Sequence, residues 1–269
     1  MNTSKPLILA TNDDGIQSGF LLAMVKELAK IGEVMVCAPN GERSWIGHAI
    51  SRTQKLTPKE EKSYPVQAFS LNGTPADCIN LAFGNLLSRP PDLVVSGINL
   101  GYNITLPMIL SSGTVGAALE GALLGIPAMA ASMALPVEKF DDIRKCSGQK
   151  LDASTRKSLV RSAKSIANYA EMVLEMQSHI GLTVHNLNFP PTYDGKIEPL
   201  VCFAENLSLG SIFQKDNAKK HYQLVYRTAW IDEADPEIGS DLWAHKEGLP
   251  SVSRLDFSEM NGKSYLQPN

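Results

Sequence analysis

A short apolar run, Pro6-Leu7-Ile8-Leu9-Ala10, stops abruptly at Thr11-Asn12-Asp13-Asp14-Gly15, and no other stretch restricts the fold and chemistry of this chain as strongly. A buried strand that ends in two adjacent carboxylates and a glycine puts negative charge at the carboxyl edge of a parallel sheet, where open α/β folds bind ligands. Adjacent carboxylates repel each other, so holding both ionised takes a cation, a cluster of donors or full solvation. The residues alone allow two readings: a metal site, or a solvated turn of the kind that Asn, Asp and Gly favour.

The following residues continue in α/β fashion. Ser18 can cap a helix whose apolar residues Leu21, Leu22, Val25, Leu28 and Ala29 recur at helical spacing, with Gly32 at its end. Residues 33–38 read as a second buried strand stopped by Pro39, which completes a right-handed parallel unit. The loop 40–52 leaves the carboxyl end of that strand carrying Glu42, Arg43, Ser44 and His48, and so stands beside the Asp pair. Residues 55–62 are polar and read as a solvated excursion, and 66–71 read as strand. Thr74 and Pro75 open a helix with the stripe Ile79, Ala82, Phe83, Leu86 and Leu87.

Residues 92–96 form the next expected strand, followed by the loop Gly97-Ile98-Asn99-Leu100-Gly101-Tyr102-Asn103. Ser111-Ser112-Gly113-Thr114 then opens a small-residue helix over 115–124. Its free N–H groups and positive dipole end suit an anion, and the competing reading is an ordinary cap that binds nothing. The remaining pattern predicts a strand at 127–132, a polar connection at 133–150, a helix at 154–177 and a last central strand at 182–188. Residues 199–204 and 221–231 read as antiparallel strands around a polar tip, 240–248 as a short helix and 251–255 as a strand. The expected architecture is a Rossmann-like, mostly parallel sheet with helices on both faces over residues 1–190. A C-terminal antiparallel strand extension over 191–269 follows, carrying oligomerisation strands within the same domain or as a subdomain.

Composition narrows the function. With 269 residues and a net charge of −3, the chain gives no reason to expect a nucleic-acid polymer as partner. Nor does any apolar run reach the length a bilayer requires. The N-terminal residues lead into the first strand without a signal-peptide core, and Cys37, Cys78, Cys146 and Cys202 are widely spaced. Both features point to a cytoplasmic protein with reduced, structural thiols.

Several motifs together resemble the SurE family of nucleotidases. They are Asn12-Asp13-Asp14-Gly15-Ile16, Arg43-Ser44, Gly73-Thr74-Pro75-Ala76-Asp77-Cys78, Val94-Val95-Ser96-Gly97-Ile98-Asn99, Ser112-Gly113-Thr114-Val115-Gly116-Ala117-Ala118 and Glu120-Gly121. The match extends more weakly to Asn186-Leu187-Asn188-Phe189-Pro190 and to Ser240-Asp241, so it covers nearly the whole chain. The resemblance implies a Rossmann-like core, a C-terminal extension used in homo-dimer or homo-tetramer contacts, and a divalent-metal phosphatase acting on nucleoside 5'-monophosphates or 3'-monophosphates. By motif, the metal ligands fall on Asp13, Asp14, Ser44 and Asn99, with Asp13 and Asp14 also catalytic.

That ligand set is chemically coherent. Two carboxylates, a hydroxyl and an amide are hard oxygen donors, which suit one Mg²⁺ or Mn²⁺ per subunit. Ser112, Gly113 and Thr114 are placed to hold phosphate oxygens, with Asn103 as a further donor. Departures from the family pattern lie on the substrate side: Trp45 stands where a glycine commonly follows the loop serine, Ser111 replaces a tyrosine, and Thr105 lies near the place of a second loop glycine. His48 reads best as an exposed or hydrogen-bonded loop residue, Arg43 as a surface arginine, and Trp45 and Tyr102 as packing aromatics or base-stacking platforms. The competing functions are a metal-dependent sugar-nucleotide transferase and a metal- and phosphate-binding protein with reduced activity. A phosphate-binding switch is not expected, because the one Gly-Lys-Ser triplet, Gly262-Lys263-Ser264, follows no Gly-rich loop: Phe257 stands where the motif needs its first glycine.

Overall fold

A computed structural model describes residues 5–176, 182–216, 220–227 and 229–261. The central strands are runs of buried residues: β1 (Leu7–Thr11), β2 (Glu33–Pro39), then, after the edge strand β3 (Pro58–Glu60), β4 (Gln67–Leu71). Next come β5 (Leu93–Leu100), β6 (Ala128–Met133) and β7 (Thr183–Phe189). Strands apolar along their whole length must be covered on both faces, which is the condition of a parallel sheet with helices above and below. Among the described residues the sheet has nine strands, and β4, β2, β1, β5, β6 and β7 lie side by side and parallel.

One face is covered by α1 (Gly19–Ile31) and, further along the chain, a 23-residue helix at Ala153–Glu175. Ser18 caps α1 by accepting from the Leu21 N–H, and Phe20, Leu21, Met24, Val25 and Leu28 are its buried stripe. Gly32 ends α1 in an extended conformation; its missing Cβ leaves room for the Pro6 carbonyl, 2.6 Å from where that atom would sit. The opposite face carries α2 (Pro75–Leu81), α3 (Leu106–Ser111) and α4 (Gly113–Leu123). Thr74 and Asp77 form a reciprocal capping box at the start of α2, and a π-helical turn at Ala82–Leu86 replaces the α-helical continuation expected there. α4 presses against the sheet: a Cβ on Gly121 would lie 2.8 Å from Val94 Cβ.

Several segments differ from the sequence-based expectation. β3 pairs antiparallel with β4 inside the polar stretch 55–62, and all three of its residues are exposed, so it carries no apolar signal. β5 runs on through Gly97, Ile98 and Asn99 to Leu100, with a register shift between Ser96 and Asn99 and a cis peptide between Gly97 and Ile98. α5 (Val137–Lys145) lies in the connection 133–150 and buries only Ile143. The long helix at Ala153–Glu175 is α6; it is capped by Asp152 rather than begun at residue 154, and the expected end at residue 177 falls outside the described residues.

The C-terminal part is split between two sheets. β8 (Leu200–Cys202) does not pair with residues 221–231 but runs parallel to β11 (Ser251–Asp256) at the edge of the main sheet, and β11 is antiparallel to β7. β9 (Phe213–Asp216) and β10 (His221–Leu224) form a separate antiparallel hairpin. Two short helices, α7 (Ala229–Asp232) and α8 (Asp241–Lys246), follow, and Ser240 caps α8 through the Trp243 N–H.

Candidate active site

The Asp13-Asp14 pair sits where β1 ends. The Asn12 side chain closes the turn by accepting from the Gly15 N–H at 3.1 Å and donating to the Gly15 carbonyl at 3.2 Å. Gly15 has φ +98°, a left-handed conformation in which a side chain would be strained. Asp13 is buried, with 3% of its surface exposed, and its Oδ1 accepts a 2.6 Å hydrogen bond from the Thr114 hydroxyl. Asp14 Oδ2 accepts from the Leu100 N–H at 3.1 Å, one residue past Asn99.

Three other pieces converge on the pair. The Arg43 N–H donates to the Asp13 carbonyl at 2.7 Å, which fixes the loop carrying Ser44. A Cβ on Gly113 would lie 3.0 Å from Asp13 Cβ and 3.0 Å from the Arg43 carbonyl, so the first residue of α4 touches both. Ser112 caps α4 through the Val115 N–H, leaving the amides of Gly113 and Thr114 among the first-turn groups that no intrahelical carbonyl can accept. Asn99 stands in register with Ser132 of β6. Asn103 is held against the same sheet ends: its N–H donates to Asn188 Oδ1 and its Nδ2 to Ser132 Oγ, each at 2.8 Å, while its carbonyl accepts from Asn186 and Asn188.

Burial pushes the Asp13 carboxyl up to about 6, against the lowering pull of the Thr114 hydrogen bond. Burial, then the charge of Asp13, holds Asp14 well above the ordinary carboxylate range, with the Leu100 N–H opposing. Glu42 adds negative charge to both. It pairs with Arg144 of α5 at 3.2 Å and accepts from the Ser44 hydroxyl at 3.0 Å. Two adjacent carboxyls raised in this way, by burial above all, are the environment that a bound cation would reverse.

Sequence reasoning did not foresee Thr114 as the partner of Asp13, the Leu100 amide on Asp14 or the third carboxylate of Glu42. The Thr114 contact spans 101 residues of sequence and has no local signal. Arg43 does not pair with the Asp carboxylates; its guanidinium donates to Asn40 Oδ1 and the Glu42 carbonyl. His48 is hydrogen-bonded, to Glu120 at 2.6 Å. Tyr102 packs on His245 with ring centroids 4.5 Å apart and shares a hydrogen bond with Tyr226. Trp45 is half-buried at φ +60°.

Beneath the site lies a polar row. Thr11, Ser96, Ala130, Asn186 and Ser253 are register partners across β1, β5, β6, β7 and β11. Thr11 Oγ1, Ser96 Oγ, Asn186 Oδ1 and Ser253 Oγ are buried and find no partner among the described residues. A shallow cleft among Leu7, Glu33, Val34, Gln67, Leu87 and Arg89 opens at the other, amino end of the strands, away from all these groups.

Fold and site together define a doubly wound α/β protein whose ligand edge sets paired carboxylates against a helix start. The description "Survival protein SurE" matches residues 8–206, and the chain belongs to the SurE family. It is 33% identical over 261 residues to the 5'-nucleotidase SurE of Christiangramia forsetii, covering 96% of this chain and 93% of that protein. It is 37% identical over 269 residues to the 5'-nucleotidase SurE of Methanosarcina barkeri, covering 95% and 96% respectively. The crystal structure of the SurE protein from Aquifex aeolicus matches with a TM-score of 0.72 at 28% identity, over 98% of this chain and 100% of that one.

Proposed function

We propose that the chain hydrolyses nucleoside 5'-monophosphates, with activity on 3'-monophosphates, to nucleoside and phosphate at Asp13 and Asp14, using one Mg²⁺ or Mn²⁺ per subunit. As a SurE-family protein it is a 5'-nucleotidase, a phosphoric monoester hydrolase whose substrate is a small nucleotide. The metal assignment rests above all on one observation: two adjacent carboxyls, both with raised pKa, of which Asp13 is buried against the start of α4.

Asp13, Asp14, Ser44 and Asn99 would hold the cation. All four are hard oxygen donors, and the raised carboxyl pKa values are those of a pair that gains from a positive charge. When bound, the cation neutralises the phosphate and lowers the pKa of a coordinated water. The chain's own residues do the rest. Thr114 fixes the direction of Asp13, and the Leu100 amide that of Asp14. The amides of Gly113 and Thr114, with the Ser112 hydroxyl, take the phosphate oxygens at the positive end of α4, and Asn103 is rigid enough to serve as a further donor.

We further infer a cytoplasmic homo-dimer or homo-tetramer. All four cysteines are free, and among the described residues no helix is long and apolar enough to cross a membrane. β9 and β10 expose Phe213, Tyr222 and Leu224, apolar surface that an isolated hairpin cannot bury.

The test is release of free phosphate from a panel of nucleoside 5'- and 3'-monophosphates, with and without EDTA and with no acceptor present. Metal-restored release supports hydrolysis. Dependence on a sugar or alcohol acceptor would establish transfer instead, and nucleotide binding without turnover would leave a binding protein.

A further inference from the structure

Helix α4 is built from small and apolar residues, yet Glu120 on its buried side is only 6% exposed. A carboxylate in such a place is unstable without partners. It has two: His48 Nε2 lies 2.6 Å from Oε2, and Asn80 Nδ2 donates to Oε1 at 2.6 Å. Because an ionised carboxylate only accepts, His48 donates through Nε2. His48 comes from the loop 40–52 and Asn80 from α2, so one carboxylate ties three segments together.

The same loop is seated on α4 by its backbone. The Gly47 N–H donates to the Ser111 carbonyl at 2.8 Å, and a Cβ on Gly116 would overlap the Gly47 carbonyl and come within 3.0 Å of His48 Cα. Its far end is held at the start of α2, where the Thr74 hydroxyl donates to the Ala49 carbonyl at 2.7 Å and the Ser51 N–H to Asp77 Oδ1 at 2.9 Å. The loop thus runs along the helix, with Arg43 at Gly113, Gly47 at Gly116 and the His48 side chain reaching Glu120. Seven residues of helix span about 10 Å, so the imidazole points away from the Asp pair and does not touch the reacting atoms.

We propose that Glu120, with His48 and Asn80, is a positioning latch that sets where Ser44 stands relative to Asp13 and the start of α4. The latch rests on the reading of Ser44 as a metal ligand. Groups one layer behind a ligand govern affinity by limiting the ligand's freedom, although they never meet the metal.

The test compares the wild type, Glu120→Gln and the double variant Glu120→Gln/Asn80→Asp. A glutamine at 120 offers one acceptor oxygen where His48 and Asn80 both donate, so one tie breaks. With Asn80→Asp added, the new amide donates to the new carboxylate while its oxygen still accepts from His48, and the geometry is restored. Two measurements need no turnover: hydrogen–deuterium exchange over residues 43–51, and Mn²⁺ affinity from the EPR signal of free Mn²⁺. Glu120→Gln is expected to speed exchange in that loop and weaken Mn²⁺ binding about 10-fold or more, and the double variant to recover both.

Unchanged exchange overturns the latch, as does faster exchange with unchanged Mn²⁺ affinity. Failure of the double variant to recover also counts against it. A wild-type protein that binds no Mn²⁺ overturns the ligand reading and the latch together, and this is seen before any variant is compared. Should Glu120→Gln not fold, His48→Asn carries the same two measurements.

Discussion

The Thr114 hydroxyl and Asp13 Oδ1 are 2.6 Å apart, which joins the first turn of α4 to the end of β1 through a carboxylate that the two elements bury between them. The bond lowers the Asp13 pKa against the larger effect of burial. Thr114→Val keeps the shape and removes the donor, so the carboxyl is expected to titrate higher than its present value of about 6. Since a ligand carboxylate must be ionised to bind metal, the acid limb of the pH–rate profile should move to higher pH, with at least about a 10-fold loss in kcat/KM at neutral pH for one lost charge-assisted bond. Thr114→Ser should behave as the wild type. An unmoved acid limb in the valine variant would separate Thr114 from the chemistry.

Asp13→Asn and Asp14→Asn should each cost more than about 2 kcal/mol of transition-state stabilisation, as other preorganised electrostatic groups do. Stability should move the other way. Both carboxyls titrate higher in the folded chain than the ordinary 3.8, so each favours folding below 3.8 and loses that advantage as pH rises through the folded value. In chelator at neutral pH the Asn variants are therefore expected to melt no lower than the wild type, with a gain for Asp13→Asn of at most about 3 kcal/mol. The gain should vanish below pH 3.8. Thermal melts across pH in EDTA measure this directly.

His245 works with the opposite sign. Burial lowers it from the usual 6.5 to about 4, so acidification through that window protonates the unfolded chain first and costs stability. His245→Phe keeps a ring against Tyr102 and should remove about 3 kcal/mol of acid sensitivity between pH 6.5 and 4. Asp241, raised by burial to about 6, gains stability over much of the same range. The wild-type curve therefore mixes the two, and urea unfolding should be read as the difference between variant and wild type. A difference that does not change with pH would contradict the assignment.

Thr105 lies in the loop before α3 at φ +62°, ψ 147°, a region that is nearly the preserve of glycine. Its N–H donates to Asp241 Oδ2, and its hydroxyl is buried without a partner among the described residues. Thr105→Gly relieves the strain and the orphaned hydroxyl, and the added freedom of the unfolded chain offsets part of the gain. Urea denaturation should show a net stabilisation of about 1 kcal/mol; a destabilised variant would mean that the threonine side chain is worth more than its backbone costs.

Sedimentation should find a dimer or larger species. Phe213, Tyr222 and Leu224 on the hairpin are exposed, as are Val201 and Phe203 on and beside β8, and this is more apolar surface than a lone hairpin keeps in water. Replacing Phe213 and Tyr222 with serine should shift the equilibrium towards monomer. A wild type that is monomeric over a wide concentration range would contradict the assembly.

The central sheet could be read from the sequence because β1 and β6 are buried end to end and β5 and β7 along most of their length, and helix starts announce themselves through Ser18, Thr74 and Ser112. Where that logic failed, the physical cause is visible. Gly97 reads as a loop residue, yet the strand continues because a Cβ there would overlap the Ala131 carbonyl; the glycine permits close approach rather than a turn. α3 follows Thr105 without a side-chain cap, so only Pro107 in its first turn marks its start. The candidate site residues come from motifs that can be read in the sequence, whereas the bonds that hold their segments, Thr114 to Asp13 and His48 to Glu120, join residues 101 and 72 positions apart.

The glycines of α4 bear on the order in which the molecule assembles. Gly116 and Gly121 are there because Gly47 and Val94 leave no room for a Cβ, and each costs about 1 kcal/mol of intrinsic helix stability relative to alanine. An 11-residue segment so burdened does not hold a helix by itself and becomes helical only on docking against β5 and the loop 40–52. The open amides at the start of α4 and the burial of Asp13 therefore come into being in the same event, and a chain that has folded only its first strands and α1 has the carboxylates but not the helix start proposed to seat phosphate.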